Sequence, residues 1–243
     1  MSGKKSSLIR SVSSVLVPGL LLVSAGCVPW DAPEPEVKYT SVESAAAAGA
    51  EARYLSFYEL EAPLTNFPSG LYQLNALAKL SMRGNVWQVP EGISGLKGLT
   101  WLDMGEMKLA SLPGDIGGLP ELRVLYLTDN QLTSLPESFG SLASLEYVNL
   151  DRNKISTLPA SIGQLAKLKW LRLNGNQLKS LPAGLGGLPL QKLYLRNNQL
   201  TAIPAELGVL GRTLQELFLE GNPIAPEDQE AIKQMFPNTT IYF

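Results

Sequence analysis

The chemistry open to this chain is bounded first by what it lacks. Its 243 residues include no histidine, the side chain that most often serves as general base or metal ligand. Cys27 is the only cysteine, which excludes an internal disulfide, a CxxC redox pair and a thiolate zinc cluster. No GxSxG elbow, Walker loop or HExxH pair occurs. The carboxylates Asp103, Asp129 and Asp151 have no histidine or thiol to work with and read as solvated surface. Two kinds of side chain remain. One is the Cys27 thiol, placed just after the small residues Ser24-Ala25-Gly26. The other is a set of aromatic and cationic residues at recurring intervals: Trp101, Tyr126, Tyr147, Trp170, Arg172, Tyr194 and Phe218. These are the residue types that make binding hot spots. With 20 basic and 22 acidic residues the net charge is −2, so there is no basic field for a phosphate backbone and nucleic acid is not an expected partner. An apolar content of 45% against 17% charged excludes a disordered chain.

What must position the aromatic set is an internal repeat. Leucine-type residues recur as L-x-x-L-x-L-x-x-N-x-L-x-x-L-P-x-x-I-G-x-L, in registers starting at Leu77, Leu99, Leu122, Leu145, Leu168, Leu190 and Leu214. The registers are almost evenly spaced, and a degenerate copy begins near Tyr54. L-x-L alternates with period two, which predicts a short strand with two inward side chains. The asparagine amide both donates and accepts, so at an inward turn it can satisfy the backbone of its own coil and of the next. Asn85, Asn130, Asn153, Asn176, Asn198 and Asn222 hold that position; Met107 interrupts it, which predicts a local weakness. The Leu-Pro pair starts the return path in extended conformation, because the residue before proline avoids the helical region. Gly117, Gly140, Gly163, Gly186 and Gly208 then read as turn residues. One such repeat cannot bury enough surface to order itself, so the repeats must stack.

Over residues 54–225 this pattern resembles the leucine-rich repeat family in its 23-residue short form. The resemblance implies an α/β solenoid, a leucine-rich repeat horseshoe with a parallel concave β-sheet. It also implies recognition of a protein or other ligand rather than catalysis, with no cofactor. At the ends, Thr40 to Glu43 fits a capping box, which predicts an N-terminal cap helix over 41–48. Pro226 followed by Glu227 and Asp228 predicts a C-terminal helix, and Thr239 to Phe243 a closing strand.

The segment 1–26 is basic at Lys4, Lys5 and Arg10, then mostly apolar from Val12 to Val23, too short to span a bilayer. With Cys27 it resembles the lipobox of bacterial lipoproteins, with Ser24 where Leu, Val or Ile is usual and Val23 one step earlier. An ordinary signal peptide with an incidental cysteine is the alternative. The expected organisation is a signal peptide over 1–26, a lipid-anchored tether over 27–39 and the repeat domain over 40–243. Prolines 29, 33 and 35 alternate with acidic residues, which predicts a semi-rigid spacer of up to ~37 Å. Asn238-Thr239-Thr240 matches a glycosylation sequon, which beside a bacterial lipobox carries no weight.

On the predicted strands the outward residues form two columns. One reads Lys79, Trp101, Val124, Tyr147, Trp170, Lys192 and Glu216; the other Ser81, Asp103, Tyr126, Asn149, Arg172, Tyr194 and Phe218. At ~4.8 Å between strands the aromatics would make one patch ~25 Å long. The expectation is a non-enzymatic, monomeric module of the bacterial cell envelope, held to a membrane by its N-terminal lipid and binding an unknown protein on its concave face. A carbohydrate-binding or adhesive role on the same aromatics, with a glycan ligand, is the competing expectation. So is cross-strand packing that only stabilises the sheet.

Overall fold

The computed structural model describes residues 37–58, 64–82, 84, 86 and 88–243; the predicted signal peptide, Cys27, most of the tether and Asn85 lie outside them. In each repeat the three residues centred on the middle leucine-type side chain form a strand, and these strands, with one more at either end, pair side by side, all parallel, in chain order. They are Lys38–Tyr39 (β1), Tyr54–Ser56 (β2), Lys79–Ser81 (β3), Trp101–Asp103 (β4), Val124–Tyr126 (β5), Tyr147–Asn149 (β6), Trp170–Arg172 (β7), Lys192–Tyr194 (β8), Glu216–Phe218 (β9) and Thr240–Tyr242 (β10). Register is as the repeat requires: Tyr147 pairs with Trp170 and Lys192 follows, while Asn149, Arg172 and Tyr194 align beside them. The inward leucines Leu102, Leu125 and Leu171, with Val148 in the same place, are fully buried, and with the other repeat leucines they form one continuous core.

The return path is extended and then 3₁₀-helical. Pro136, Pro159 and Pro182 hold φ near −68°, −66° and −69° just before the short helical segments Glu137–Ser141, Ala160–Gln164 and Ala183–Gly187. Proline presets that φ and needs no donor there. The glycines of these turns do not have positive φ. A Cβ on Gly117 or Gly140 would fall onto the carbonyl oxygen of Ser138 or Ser161 in the next coil. They sit in the helical turns, as the sequence reading has it, and they also permit the close approach of successive coils.

The asparagines form a buried ladder. The Asn153 side-chain oxygen accepts from Leu132 N at 3.1 Å, and its amide donates to Leu127 O at 2.9 Å and Leu150 O at 3.1 Å. Asn176 repeats this one coil on, with Ile155 N, Leu150 O and Leu173 O. The residue before the asparagine is left-handed: Asp129, Arg152 and Asn197 have φ of 54–57°, and glycines 175 and 221 hold the same place. Where Met107 replaces asparagine, Lys108 also turns left-handed (φ 61°), a departure unique to that coil among the described residues.

The caps differ in detail from the expectation. The N-terminal helix α1 is Val42–Ala48, and its N-cap is Ser41, which accepts from Ser44 N at 3.1 Å, rather than Thr40. Lys38 and Tyr39, the end of the predicted tether, pair with Tyr54 and Leu55 as the first strand of the sheet. At the other end α2 is Pro226–Met235, with Ile232 buried, and β10 closes on β9. No described helix is long and apolar enough to cross a membrane.

Candidate functional site: the open face of the sheet

Helical turns cover the back of the sheet and the front carries the two predicted columns. The six aromatics do lie there, in two groups. Trp101, Tyr126, Tyr147 and Trp170 make a tilted ladder, with ring centroids 5.8, 5.1 and 6.1 Å apart. Tyr194, Phe218 and Tyr242 stack nearly flat at 4.4 and 4.7 Å, with interplanar angles of 5° and 2°. Cations join them: Lys192 lies 5.2 Å over the Trp170 ring and Arg172 4.5 Å over Tyr194. Such contacts stabilise by roughly 0.5–2 kcal/mol each.

This packing changes what the residues offer. Tyr147 and Trp170 are only 6% and 8% exposed, and Tyr194 and Phe218 6% and 9%. The expectation treats all six as an exposed patch; the neighbouring side chains cover four of them, and Trp101 and Tyr126 keep more of their surface. Each ring buries its neighbour because parallel strands bring like positions within one strand spacing.

The charges are likewise matched internally. Arg172 donates through Nε (2.9 Å) and Nη2 (2.6 Å) to Asp151. The same carboxylate accepts from Asn174 N at 2.7 Å and is 2% exposed. The Asn174 side-chain amide is its fourth donor, so Asp151 is a buried ion-pair partner, not the solvated carboxylate its position suggested. Lys192 pairs with Glu216 at 2.7 Å and Arg196 with Glu220 at 2.7 Å. Arg196 also lies 4.5 Å over Phe218.

Burial pushes the Tyr147 phenol well above its usual range, and the Tyr126 phenol upward too. Both phenols therefore stay neutral. Among the described residues no group of three or more Asp, Glu or Cys is placed to hold a metal ion.

The sequence reasoning placed Lys192 on this face but missed Tyr242 and Arg196 as members of it. Tyr242 is legible in principle: Thr240-Ile241-Tyr242 repeats the alternation of Glu216-Leu217-Phe218, with which it pairs. Cys27, the other predicted site, lies outside the described residues.

Residues 120–178 match a family model described as "Leucine rich repeat", and residues 189–210 match a second one of that description. Those segments are leucine-rich repeats. Solved structures agree on the fold. Internalin C2 from Listeria monocytogenes is 22% identical over 74% of this chain and 75% of its own, with a TM-score of 0.63. An internalin, inlF, from the same species is 25% identical over 85% of this chain, with a TM-score of 0.59. PEPR1, in the structure titled PEPR1-AtPEP1, is 26% identical over 79%, with a TM-score of 0.61. The chain spans 64% of the inlF chain and 31% of the PEPR1 chain. No curated protein matches it. Leucine-rich repeat proteins are typically protein-interaction modules and generally non-enzymatic scaffolds.

Proposed function

We propose that this protein is a lipid-anchored interaction module of the bacterial cell envelope, which holds a protein partner on the open face of its sheet. The observation that carries the reading is the face itself: ten strands in register, with Trp101, Tyr126 and Arg172 partly exposed on a base of packed rings and matched ion pairs. A face whose side chains are already fixed loses little entropy when a partner docks. The structure titled PEPR1-AtPEP1 supports the reading by analogy of fold. The glycan alternative on this face is disfavoured, because stacking a sugar needs a free ring face, and Tyr147, Trp170, Tyr194 and Phe218 have little surface left.

Crosslinking in intact cells, followed by mass spectrometry, identifies the partner. Trp101→Ala and Tyr126→Ala should each weaken its binding by about 2 kcal/mol or more; full binding by both variants would refute the assignment to this face. The anchor is tested separately. Cys27→Ser should release the protein from membranes and abolish uptake of labelled fatty acid, and a wild type that takes up no label would remove the lipoprotein reading.

A further inference from the structure

The sheet has two edges, and they differ. β1 is two residues long and carries Lys38, whose ammonium lies 6.0 Å over the Tyr54 ring. A short strand bearing a lysine is a guarded edge. β10, at the other end, pairs only with β9 among the described residues. Thr240 N donates to Gln215 O at 2.8 Å, and Tyr242 O accepts from Leu219 N at 2.7 Å. The backbone of these two residues thus faces β9. Because backbone groups alternate in direction along a parallel strand, the N–H and C=O of Ile241, between them, face away from the sheet.

β10 has no such guard. From Pro237 to Phe243 the sequence carries no charge, and no proline lies within Thr240–Tyr242. Thr240 and Tyr242 are exposed on the open face, Tyr242 at 39%, where its ring ends the flat stack on Phe218. On the other side of the strand Ile241 and Phe243 pack on the core and stay partly exposed, as does Met235 of α2. Outward-facing backbone, an open ring and partly covered apolar side chains therefore coincide at this edge.

We infer that β10 pairs with β10 of a second copy of this chain, antiparallel and centred on Ile241. The strand is complementary to itself. Across a two-fold axis Ile241 meets its own counterpart, and the two exchange both N–H···O=C bonds, as a hydrogen-bonded antiparallel pair does. Tyr242 then stands opposite the counterpart of Thr240 on the open face, an aromatic against a β-branched side chain, which is a favourable cross-strand pair. A two-fold axis also brings each side chain near its own copy, so a charge on the strand would repel itself. The uncharged run from Pro237 to Phe243 meets that condition, whereas the same pairing at β1 would oppose Lys38 to Lys38. A strand of another protein would find the same backbone here but nothing on the edge to select its sequence; the match of the strand to itself selects a second copy. The pairing joins two ten-stranded sheets and turns both open faces to the same side. It is independent of what the open face binds, and it departs from the expected monomer.

The full chain carrying Cys27→Ser, which removes the proposed lipid, should sediment at twice 26.3 kDa and dissociate on dilution. Hydrogen exchange locates the contact: the Ile241 N–H should exchange about tenfold or more slowly in the dimer, while the Tyr242 N–H, on the β9 side, is protected in both states. Thr240→Lys sets a cation beside Glu216, its strand neighbour, so the circular dichroism melt should be unchanged. The same lysine lies near its own copy across the axis and should weaken dimerisation about tenfold or more, whereas Thr240→Ser should dimerise as wild type. Opposed residues of a non-hydrogen-bonded antiparallel pair have Cα atoms ~4.5 Å apart, within reach of a disulfide. A mixture of Thr240→Cys and Tyr242→Cys chains should therefore oxidise to a cross-linked pair of the two variants, and neither variant should join to itself. A monomer at every concentration, a dimer whose Ile241 N–H exchanges as fast as in the monomer, or Thr240→Cys joined to itself would overturn the inference. So would crosslinks in intact cells that run from Lys233, 5.9 Å over the Phe243 ring, to another protein instead of a second copy.

Discussion

The asparagine ladder makes a prediction about coupling that a single substitution cannot test. Its carbonyls are shared between successive rungs. Leu127 O accepts from both Asn130 and Asn153, Leu150 O from both Asn153 and Asn176, and Leu173 O from both Asn176 and Asn198. Asn153→Leu therefore leaves every one of these carbonyls with at least one donor. Only the Leu132 N–H loses its sole partner. One buried unpaired donor costs about 1–3 kcal/mol, so that is the expected loss. Asn176→Leu should behave alike through Ile155 N. The double variant is different in kind, because Leu150 O then loses both donors, and Leu150 is fully buried. It should cost more than the sum of the singles by a further 1–3 kcal/mol or so. Asn130 and Asn176 share no carbonyl, and their double variant should be additive within about 0.5 kcal/mol. Urea unfolding followed by tryptophan fluorescence supplies the cycle, since Trp101 and Trp170 sit in the packed ladder on the sheet. Additivity of the adjacent pair would mean that the shared carbonyls carry no energetic link between coils. Coupling in the Asn130–Asn176 pair as large as in the adjacent one would refute the nearest-neighbour picture altogether.

Other consequences follow from the same geometry. Trp170→Ala should lower stability by about 2–4 kcal/mol, because the ring is nearly covered by Tyr147 and Lys192; an unchanged thermal midpoint would show that the packing on this face contributes nothing. Gly140→Ala should cost at least 1–3 kcal/mol or so by pressing a methyl group onto the Ser161 carbonyl, whereas Gly187→Ala, which meets nothing within 4 Å, should stay within about 0.5 kcal/mol; equal denaturation midpoints would contradict the close-approach role. Burial raises the pKa of Tyr126, Tyr147 and Tyr194 in the folded state. Their contribution is thus fully present below the unfolded value near 10 and is lost as pH rises beyond it. The urea midpoint should fall steeply above pH 10, and Tyr126→Phe with Tyr147→Phe should flatten that fall.

How far the fold can be read from the sequence depends on how strictly each position is constrained. The L-x-L triplets can be read without ambiguity because period two fixes which side chains face inward, and a slip by one would expose the core. The strand register and both outward columns follow from that alone. The helix start at Ser41 rather than Thr40 is the ordinary uncertainty of a terminus where two adjacent hydroxyl residues can each cap. The glycines are legible as turn residues but not as points of close approach, because a turn is a local property, while the clash at Gly117 or Gly140 is with a backbone one coil away.

The open face shows why recognition is harder to read than architecture. Stacking places equivalent positions of successive coils about 4.8 Å apart, so any column of large side chains must pack on itself. A run of aromatics in such a column is therefore expected whether or not anything binds there. The packed state of Tyr147 and Trp170, and the closed pair of Arg172 with Asp151, are what stacking alone would produce. Information about a partner resides where that self-packing stops. On the ladder it stops at Trp101: its strand partner on one side is Lys79, not an aromatic, and the indole stays partly exposed. One strand on, Tyr126 pairs with Asp103 and Asn149 and is likewise only partly covered. A partner gains most by covering surface that the sheet has not already covered. Trp101 and Tyr126 are accordingly better placed than Trp170 to decide binding, and Trp170 to decide stability.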